Sequence, residues 1–238
     1  MSNPQIGFRA LCKATFDRMF AAVALLVMLL PMALVAACIR LMMGPPVFFR
    51  DLRAGRQGRT FTLWKFRTMR NASDPHGRQF ADQERLTWIG RLLRSTSFDE
   101  LPQFWNVLRG DMSLVGPRPL LPQYLPLYSE VQRRRHDVLP GITGWVQVNG
   151  RNALDWEKKF ELDVWYVDHW GLLLDLKIVL LTVKCVLLRS GISHEGEATM
   201  PFFTGQTNSP QSYAGLDKAA SSTSAPPLRR GLPPESIP

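Results

Sequence analysis

Cysteine and histidine are both scarce in this sequence. Its 238 residues include three cysteines and four histidines. Because Cys12, Cys38 and Cys185 are scattered and odd in number, they do not suggest a disulfide framework, and we interpret them as buried apolar side chains in a reducing compartment. His76 and His136 have no partners at the spacing of a metal site, and we interpret both as surface residues. A disulfide-rich secreted domain and a histidine-ligated metal centre are therefore disfavoured.

No nucleic-acid-binding motif accompanies the positive charge of the chain. The formal net charge is +9 and the isoelectric point is about 9.9, which favours anionic partners. The sequence nevertheless lacks zinc-finger spacing, a helix-turn-helix signal and an RNA-binding aromatic motif. An anionic membrane surface and a phosphate-rich substrate explain the charge more simply, so we predict a membrane partner and no nucleic acid.

Charged side chains are absent from residues 19–39. This stretch is long enough for one membrane span, which needs about 20 apolar residues. We favour a broken, re-entrant helix instead, because Pro31 lies near its middle and removes a backbone donor. Basic residues also flank both ends, so the positive-inside rule selects no orientation; they are Lys13, Arg18, Arg40, Arg50 and Arg53. A hairpin that enters and leaves on the cytoplasmic face places the basic residues of both flanks on that face, in agreement with the positive-inside rule.

Two other patterns occur in the same N-terminal segment. Basic and apolar side chains are interspersed over residues 1–18, which predicts a short amphipathic helix on the membrane surface. Residues 35–38, Val-Ala-Ala-Cys, also resemble a lipoprotein cleavage site, which would export everything that follows. Pro31 interrupts the apolar region that such a site requires, so we favour the re-entrant hairpin.

Residues 94–119 combine paired acids with an apolar helical pattern. Asp99 and Glu100 stand where that pattern begins, at Leu101. Neighbouring positions on a helix do not share a face, so the two acids are predicted to have separate roles. Ser97 lies three residues before Glu100 and fits a capping box, which leaves helix capping open as a structural alternative.

Arginines around these acids favour phosphate chemistry over simple capping. Arg94, Arg109 and Arg118 lie on either side of the acids, and Gly-Pro-Arg-Pro stiffens the backbone around Arg118. A guanidinium offers a planar fork of donors that suits phosphate oxygens, and a helix start offers unpaired N–H groups to an anion. The combination predicts a phosphoryl-transfer site.

Three long motifs resemble those of the bacterial sugar transferases, over roughly residues 10–190. They are Lys65-Phe-Arg67-Thr-Met, the run from Asp99 to Pro119, and Pro140-Gly-Ile-Thr-Gly-Trp-Val-Gln-Val-Asn-Gly-Arg151. The resemblance implies a small monotopic polyprenyl-phosphate phosphoglycosyl transferase on the cytoplasmic face of the bacterial inner membrane. It also implies a re-entrant hairpin in which a serine usually precedes the proline, whereas Leu30 precedes Pro31 here.

The resemblance further implies transfer of a sugar-1-phosphate from a nucleoside diphosphate sugar, here a UDP-sugar, to undecaprenyl phosphate. A carboxylate can attack phosphorus to form an acyl phosphate, and we assign this role to Asp99. Glu100 is predicted to bind Mg²⁺ together with Asp99 or to hold the nucleophile. Arg94 and Arg118 are predicted to clamp phosphate oxygens. Further predicted substrate-binding residues are Lys65, Arg67, Arg151 and Asp163.

The expected product would initiate exopolysaccharide, O-antigen or glycoprotein glycan synthesis. The alternative from another class is a membrane-anchored, non-catalytic scaffold that binds anionic lipid through its basic surface. Lipid binding needs no paired acids, so the presence of Asp99 and Glu100 among the arginines favours the enzyme.

The predicted fold is of the α+β class, with three segments. Residues 1–43 form the membrane-associated re-entrant hairpin, 44–190 the cytoplasmic catalytic domain, and 191–238 a tail rich in Ser, Thr, Gly, Pro and Ala that we predict to be disordered. Within the catalytic domain we predict a hairpin of strands 47–50 and 61–67, a mobile loop at 70–87, a helical segment with a basic surface patch at 122–139, a strand at Val146 and Val148, and interfacial helices at 154–170 and 171–188.

Overall fold

The computed structural model describes residues 7–70, 80, 85–150, 154–187 and 202–205. Its α-helices are α1 (Phe8–Val27), α2 (Leu29–Met43), α3 (Trp88–Thr96), α4 (Gln103–Arg109), α5 (Glu130–Arg133), α6 (Trp145–Val148), α7 (Trp156–His169) and α8 (Leu172–Leu187). Its strands are β1 (Phe48–Ala54), β2 (Thr60–Phe66), β3 (Ser113–Val115) and β4 (Gly141–Thr143). Helices with two small sheets confirm the predicted α+β class.

The N-terminal helices meet at a bend of 61°. The bend lies at Met28, three residues before Pro31, which occupies the first turn of α2. A proline there removes no intrahelical hydrogen bond, but in a continuous helix its ring would clash with the carbonyl of Val27. The predicted helix break is therefore confirmed. No single described helix has the length and apolar character needed to cross a membrane, whereas the bent pair taken together meets that test.

The predicted hairpin is also confirmed, with a longer first strand. β1 and β2 pair antiparallel from Phe48 opposite Phe66 to Ala54 opposite Thr60. We expected the first strand to stop at residue 50, but it continues to Ala54. Asp51 and Arg53 share one face of β1, and Arg53 Nε donates to Asp51 Oδ2 at 2.8 Å, so the two charges satisfy each other within the strand.

The main core lies where α1, α4, α7 and α8 surround the parallel pair β3 and β4. Its buried side chains include Ala21, Val107, Val115, Tyr166 and Ile178. Residues Met1–Gly205 form one compact unit, so the N-terminal segment and the catalytic elements belong to the same unit. The second unit, Gln206–Pro238, lies outside the described residues.

Two glycines allow the tight β3–β4 junction. A Cβ added to Gly141 would lie 2.1 Å from the backbone nitrogen of Gly116, and one added to Gly116 would lie 2.3 Å from the carbonyl oxygen of Leu139. Glycine is needed here because backbone meets backbone. The strand predicted at Val146 and Val148 is wrong, since these residues lie in α6 and the strand is Gly141–Thr143.

A buried polar network connects α1 to the core. Lys13 was predicted to flank the membrane segment on the surface, but it is only 4% exposed. Its Nζ lies 2.5 Å from Asp175 Oδ2 and 3.5 Å from Asp17 Oδ2. The hydroxyl of Ser113 donates to Asp17 at 2.6 Å and that of Tyr166 donates to Asp175 at 2.7 Å. The surface prediction for Lys13 is therefore wrong.

The segment predicted as a helix at 122–139 is built mostly of 3-10 turns, Pro122–Leu127 and Arg134–His136, with only α5 between them. The surface predictions for Arg135 and His136 are wrong, because both are buried. His136 Nδ1 donates to the carbonyl of Gly55 at 2.9 Å. Burial first and the nearby Arg135 next lower the pKa of His136 to about 4, so the ring is neutral at physiological pH.

Phe203 corrects part of the prediction for the tail. The tail was predicted to be disordered from residue 191, but residues 202–205 are described and Phe203 is only 5% exposed. It packs in an aromatic cluster, which we define as Tyr124, Tyr128, Trp156, Phe160 and Phe203. The rest of the tail lies outside the described residues, as does most of the predicted loop at 70–87.

Candidate active site

Arg94 lies in the last turn of α3, and Thr87 caps the first turn of this helix. The hydroxyl of Thr87 accepts a hydrogen bond from the backbone N–H of Gly90 at 3.0 Å. Gly90 lies against the end of the hairpin, since a Cβ there would approach the carbonyl oxygen of Thr68 to 2.0 Å. Arg94 Nε donates to Thr68 Oγ1 at 3.1 Å. The helix thereby anchors Arg94 beside the Lys-Phe-Arg-Thr-Met motif.

Asp99 and Glu100 lie in the single 3-10 turn Phe98–Glu100 that links α3 to α4. Ser97 ends α3 with a left-handed backbone, φ 59°, and its side chain makes no capping hydrogen bond. The helix that we expected from Leu101 begins at Gln103. The capping-box alternative is therefore wrong, and the tight turn leaves both carboxylates available for other contacts.

Glu100 joins two elements through its carboxylate. Lys65 Nζ, from β2, lies 2.8 Å from Glu100 Oε1, and Arg118 Nη2 lies 2.6 Å from the same oxygen. Burial alone would raise the pKa of Glu100, but the charges and hydrogen bonds of Arg118 and Lys65 hold it well below the ordinary range. Glu100 is consequently a permanent anion that gathers two cations.

Asp99 has a different environment from its neighbour. It is 9% exposed, and within the described part of the chain no group donates a hydrogen bond to its carboxylate. Burial first and the charge of Glu100 second raise the pKa of Asp99 to about 6, against the opposing charges of Lys65, Arg118 and Arg94. Adjacent acids with pKa values driven apart have distinct chemical roles.

Asn106, on α4, fixes the strand that carries Lys65. This fully buried side chain donates from Nδ2 to the carbonyl of Thr62 at 2.8 Å and accepts at Oδ1 from the backbone N–H of Trp64 at 3.2 Å. The two bonds hold β2 against α4. The sequence offered one signal for this role, a polar side chain among the apolar positions of the helix.

Arg118 projects from the loop after β3, between two prolines. Arg135 Nη2 donates to the backbone carbonyl of Arg118 at 2.8 Å. Asp163, on α7, accepts from Arg135 at Nε and Nη2, at 2.9 and 2.8 Å, and both side chains are buried. Asp163 thus forms an ion pair with Arg135, and Arg135 in turn donates a hydrogen bond to the backbone of Arg118. Sequence reasoning missed Arg135, because a run of three arginines is typical of a surface.

Comparison with known proteins identifies the family. The pattern described as "Bacterial sugar transferase" matches residues 8–189, more than three quarters of the chain. The chain belongs to this family. It is 60% identical over 169 residues to "Uncharacterized sugar transferase EpsL" of Bacillus subtilis (strain 168), which covers 71% of this chain and 84% of that protein.

Two further relatives carry names that specify a reaction. "UDP-glucose:undecaprenyl-phosphate glucose-1-phosphate transferase" of Escherichia coli (strain K12) is 40% identical over 191 residues, which are 76% of this chain and 41% of that protein. "UDP-N-acetylgalactosamine-undecaprenyl-phosphate N-acetylgalactosaminephosphotransferase" of Aeromonas hydrophila is 39% identical over 194 residues, 76% of this chain and 45% of that protein. This sugar transferase thus spans less than half the length of these two relatives.

The remaining predicted site residues of this sugar transferase lie in different places. Arg67 is buried, and its guanidinium donates to the carbonyls of Met43 and Pro45, where α2 ends. It therefore contacts the junction between the N-terminal helices and the hairpin. Arg151 lies outside the described residues. Lys65, Arg94, Asp99, Glu100 and Arg118 are brought together by direct contacts or by electrostatic interaction with Asp99.

The paired acids of this sugar transferase suit one kind of metal site. No cluster of three or more His, Cys, Asp or Glu that could hold a metal alone occurs among the residues that the structure describes. Magnesium is commonly bound by one or two carboxylates together with substrate phosphates. Lys65 and Arg118 both engage Oε1 of Glu100, and Asp99 is ionised above about pH 6. Asp99 and Glu100 would therefore suit a magnesium ion that also binds substrate phosphates better than one held by protein side chains alone.

Proposed function

We propose that this transferase moves a sugar-1-phosphate from a UDP-sugar to undecaprenyl phosphate and releases UMP. The observation that carries the proposal is the adjacent pair Asp99 and Glu100, held in one turn with opposite pKa shifts beside Lys65 and Arg118. The names of the Escherichia coli and Aeromonas hydrophila relatives specify this class of reaction with two different sugars.

Two displacements at phosphorus account for the transfer. In the first, an oxygen of the Asp99 carboxylate attacks the phosphorus that carries the sugar, and the bond from that phosphorus to the bridging oxygen breaks, so that UMP leaves with the bridging oxygen. In the second, a phosphate oxygen of undecaprenyl phosphate attacks the aspartyl phosphorus, and the Asp99 carboxylate leaves. Splitting one displacement in this way lowers the barrier of each step.

The surroundings of Asp99 suit a nucleophile. Its carboxylate is buried, so attack requires little loss of solvation, and above its pKa of about 6 it is ionised. Arg118, which the Glu100 carboxylate orients at 2.6 Å, and Arg94 are proposed to bind the equatorial phosphate oxygens, where charge develops. Lys65, on β2, is proposed to assist these arginines in binding the substrate.

Asp99 and Glu100 are proposed to hold Mg²⁺ when the donor is bound. The ion would supply neutralisation of the diphosphate charge. Glu100 contributes a carboxylate that stays ionised at every physiological pH, because Lys65 and Arg118 depress its pKa. Arg67, Arg151 and Asp163 remain predicted substrate-binding residues.

The proposed location is the cytoplasmic face of the inner membrane, with α1 and α2 as a monotopic re-entrant segment. Exposed large apolar side chains support it, since they recur along both helices and along α8; examples are Phe16, Leu30, Leu34, Leu41 and Leu173. A monotopic anchor would hold the site at the headgroup level, where a soluble UDP-sugar and a lipid phosphate meet.

The test is UMP release by the full chain, purified in detergent, with undecaprenyl phosphate, Mg²⁺ and a panel of UDP-sugars that includes glucose, galactose and N-acetylgalactosamine. We expect release with at least one donor and loss of release when EDTA removes the metal. Lipid binding without consumption of any donor would contradict the proposal and favour the non-catalytic scaffold. Release that is insensitive to EDTA would contradict the magnesium assignment alone.

A pH dependence follows from the raised pKa of Asp99. Only the ionised carboxylate attacks, so the rate of UMP formation in the first displacement should rise about tenfold per pH unit below pH 6 and level off above it. The measurement is a rapid-quench single turnover without acceptor and at subsaturating UDP-sugar, so that the rate reports the free enzyme, to which this pKa applies. UDP-sugars have no group that titrates near this pH, whereas the acceptor phosphate does. We call the rising part of this pH–rate profile its acid limb. An acid limb with a midpoint near pH 4 would mean that a carboxyl with an ordinary pKa, and not Asp99, limits the step.

Two substitutions should move this limb in opposite directions. Lys65 lowers the pKa of Asp99, so Lys65→Met should shift the limb to higher pH. Glu100 raises the pKa of Asp99, so Glu100→Gln should shift it to lower pH, whatever happens to the maximal rate. Movement of both limbs in the same direction would show that another group is being titrated.

A further inference from the structure

Phe203 sits at the centre of the aromatic cluster. Its ring centroid lies 4.9 Å from that of Phe160, in an edge-on contact, and 5.7 Å from that of Tyr128, in a stacked one. It also contacts Tyr124 at 5.7 Å and Trp156 at 5.6 Å. One residue from beyond the family match therefore touches all four other members, which come from the segment after Arg118 and from α7.

The same cluster flanks the guanidinium of Arg135. The Arg135 guanidinium carbon lies 5.8 Å from the Tyr128 ring centroid and 5.7 Å from that of Phe160, within the range of cation–π attraction. Phe203 touches both of these rings. Arg135 is thus contacted by Asp163 and by two rings that Phe203 also contacts.

Arg135 reaches the active site through the main chain. Its Nη2 donates to the carbonyl of Arg118 at 2.8 Å, and the Arg118 side chain lies 2.6 Å from Glu100. Because Pro117 and Pro119 restrict the backbone on either side, movement of this carbonyl would redirect the whole of Arg118. Small displacements of a phosphate-binding group are costly in enzymes.

Loss of the Phe203 ring would weaken this arrangement in two ways. Tyr128 and Phe160 would lose a packing partner, and water would gain access to the buried pair of Arg135 and Asp163. An ion pair that is better solvated fixes its partners less firmly. The expected consequence is a less well-defined position for the Arg118 carbonyl.

We propose that Phe203 is a positioning residue for the transfer reaction, acting through the aromatic cluster and Arg135 on the backbone of Arg118. The inference rests on the proposed function for its kinetic readout. It gives the segment 202–205 a role in the enzyme, as an intramolecular clamp on the loop that carries a phosphate-binding arginine.

The experiment compares Phe203→Ala with Phe202→Ala in the full chain. Phe202 is the matched control, because it is the adjacent phenylalanine and is 66% exposed. We expect kcat/KM for the UDP-sugar to fall about tenfold in Phe203→Ala and to stay within about twofold of wild type in Phe202→Ala. Phe203→Leu, which keeps apolar volume, should recover most of the loss. Equal activity of Phe203→Ala and wild type would overturn the inference.

A double-mutant cycle separates positioning from general loss of structure. In an Arg118→Lys background, which lacks the guanidinium fork, Phe203→Ala should lower kcat/KM by less than about threefold, because the group being positioned is already altered. The same tenfold loss in both backgrounds would mean that Phe203 acts only on overall stability, which would also overturn the inference.

Hydrogen exchange gives a readout that does not depend on turnover. Amide exchange in the segment 113–121 should be faster in Phe203→Ala than in wild type or Phe202→Ala, since this segment carries Arg118. If wild type consumes no donor, the proposed function fails and this comparison alone decides the inference. Identical exchange in the three proteins would overturn it.

Discussion

Asp99→Asn is expected to reduce UMP release by at least about 10⁴-fold while the protein remains as stable as wild type or becomes more stable. An amide cannot form the acyl phosphate, and a substitution that removes the nucleophile removes the whole two-step route. The direct measurement is the intact mass of the protein after incubation with the donor alone. Wild type should gain the mass of one sugar phosphate, and the variant should gain none.

The stability expectation follows from the sign of the pKa shift. The pKa of Asp99 is raised from 3.8 to about 6, so the folded protein binds the proton more tightly than the unfolded chain does. The group therefore opposes folding increasingly between about pH 4 and pH 6, and by a constant amount above that, roughly 3 kcal/mol for a shift of about two units. A neutral asparagine avoids this cost, so the Tm of Asp99→Asn should equal or exceed that of wild type, and that measurement separates loss of the nucleophile from unfolding.

Asp168→Asn is the matched control. This substitution makes the same chemical change on the exposed side of α7. There the Asp168 carboxylate pairs with Arg134. Activity within about twofold of wild type is expected, because exposed ion pairs contribute little. An Asp99→Asn protein that still acquires the sugar phosphate would remove Asp99 as the nucleophile.

Local sequence patterns predicted several of the side chains that the structure brings together. The Asp99 and Glu100 pair, the arginines around it and the alternating strand that carries Lys65 all depend on residues a few positions apart. The helix break near Pro31 is equally local, since it depends on steric rules for proline. Its position at Met28 was not predicted, because the first turn of a helix tolerates proline and the preceding turn does not.

Side chains whose role depends on distant partners were missed. Arg135 and His136 follow two other arginines, and nothing in that run indicates that Asp163 and the carbonyl of Gly55 lie beside them. Phe203 was missed for a related reason, because the surrounding composition is typical of disorder and a single aromatic residue does not alter it. Whether a particular charged or aromatic side chain is buried depends on the tertiary fold. Local composition indicates only how often such residues are buried on average.

The burial of Lys13 was missed for the same reason. Basic and apolar residues at 1–18 predicted a short amphipathic helix on the membrane surface, whereas Lys13, Asp17 and Ala21 of α1 face the core. The partner of Lys13 is Asp175, 162 positions away on α8. This contact joins α1 to α8, and the N-terminal segment therefore contributes to the folded domain as well as to the proposed membrane anchor.

Lys13→Met is expected to destabilise the fold by about 3–5 kcal/mol. The substitution keeps the length of the side chain but leaves Asp17 and Asp175 buried without their shared cation. Tyr166 and Ser113 still donate hydrogen bonds to these acids, but the cation that contacts both of them is lost. The measurement is thermal unfolding in one detergent, where a fall in Tm of roughly 10 °C is expected.

Arg9→Met provides the matched control, because it removes the same charge one helical turn earlier from an exposed position. Its effect should lie within about 0.5 kcal/mol of zero. Adding Asp175→Asn to Lys13→Met should recover part of the loss, because removing one of the two carboxylates lowers the cost of the unpaired charge while an amide oxygen can still accept from Tyr166. Equal stability of the Lys13 and Arg9 variants would mean that α1 is held by apolar contacts alone, and that the buried network contributes nothing to the attachment of the N-terminal segment.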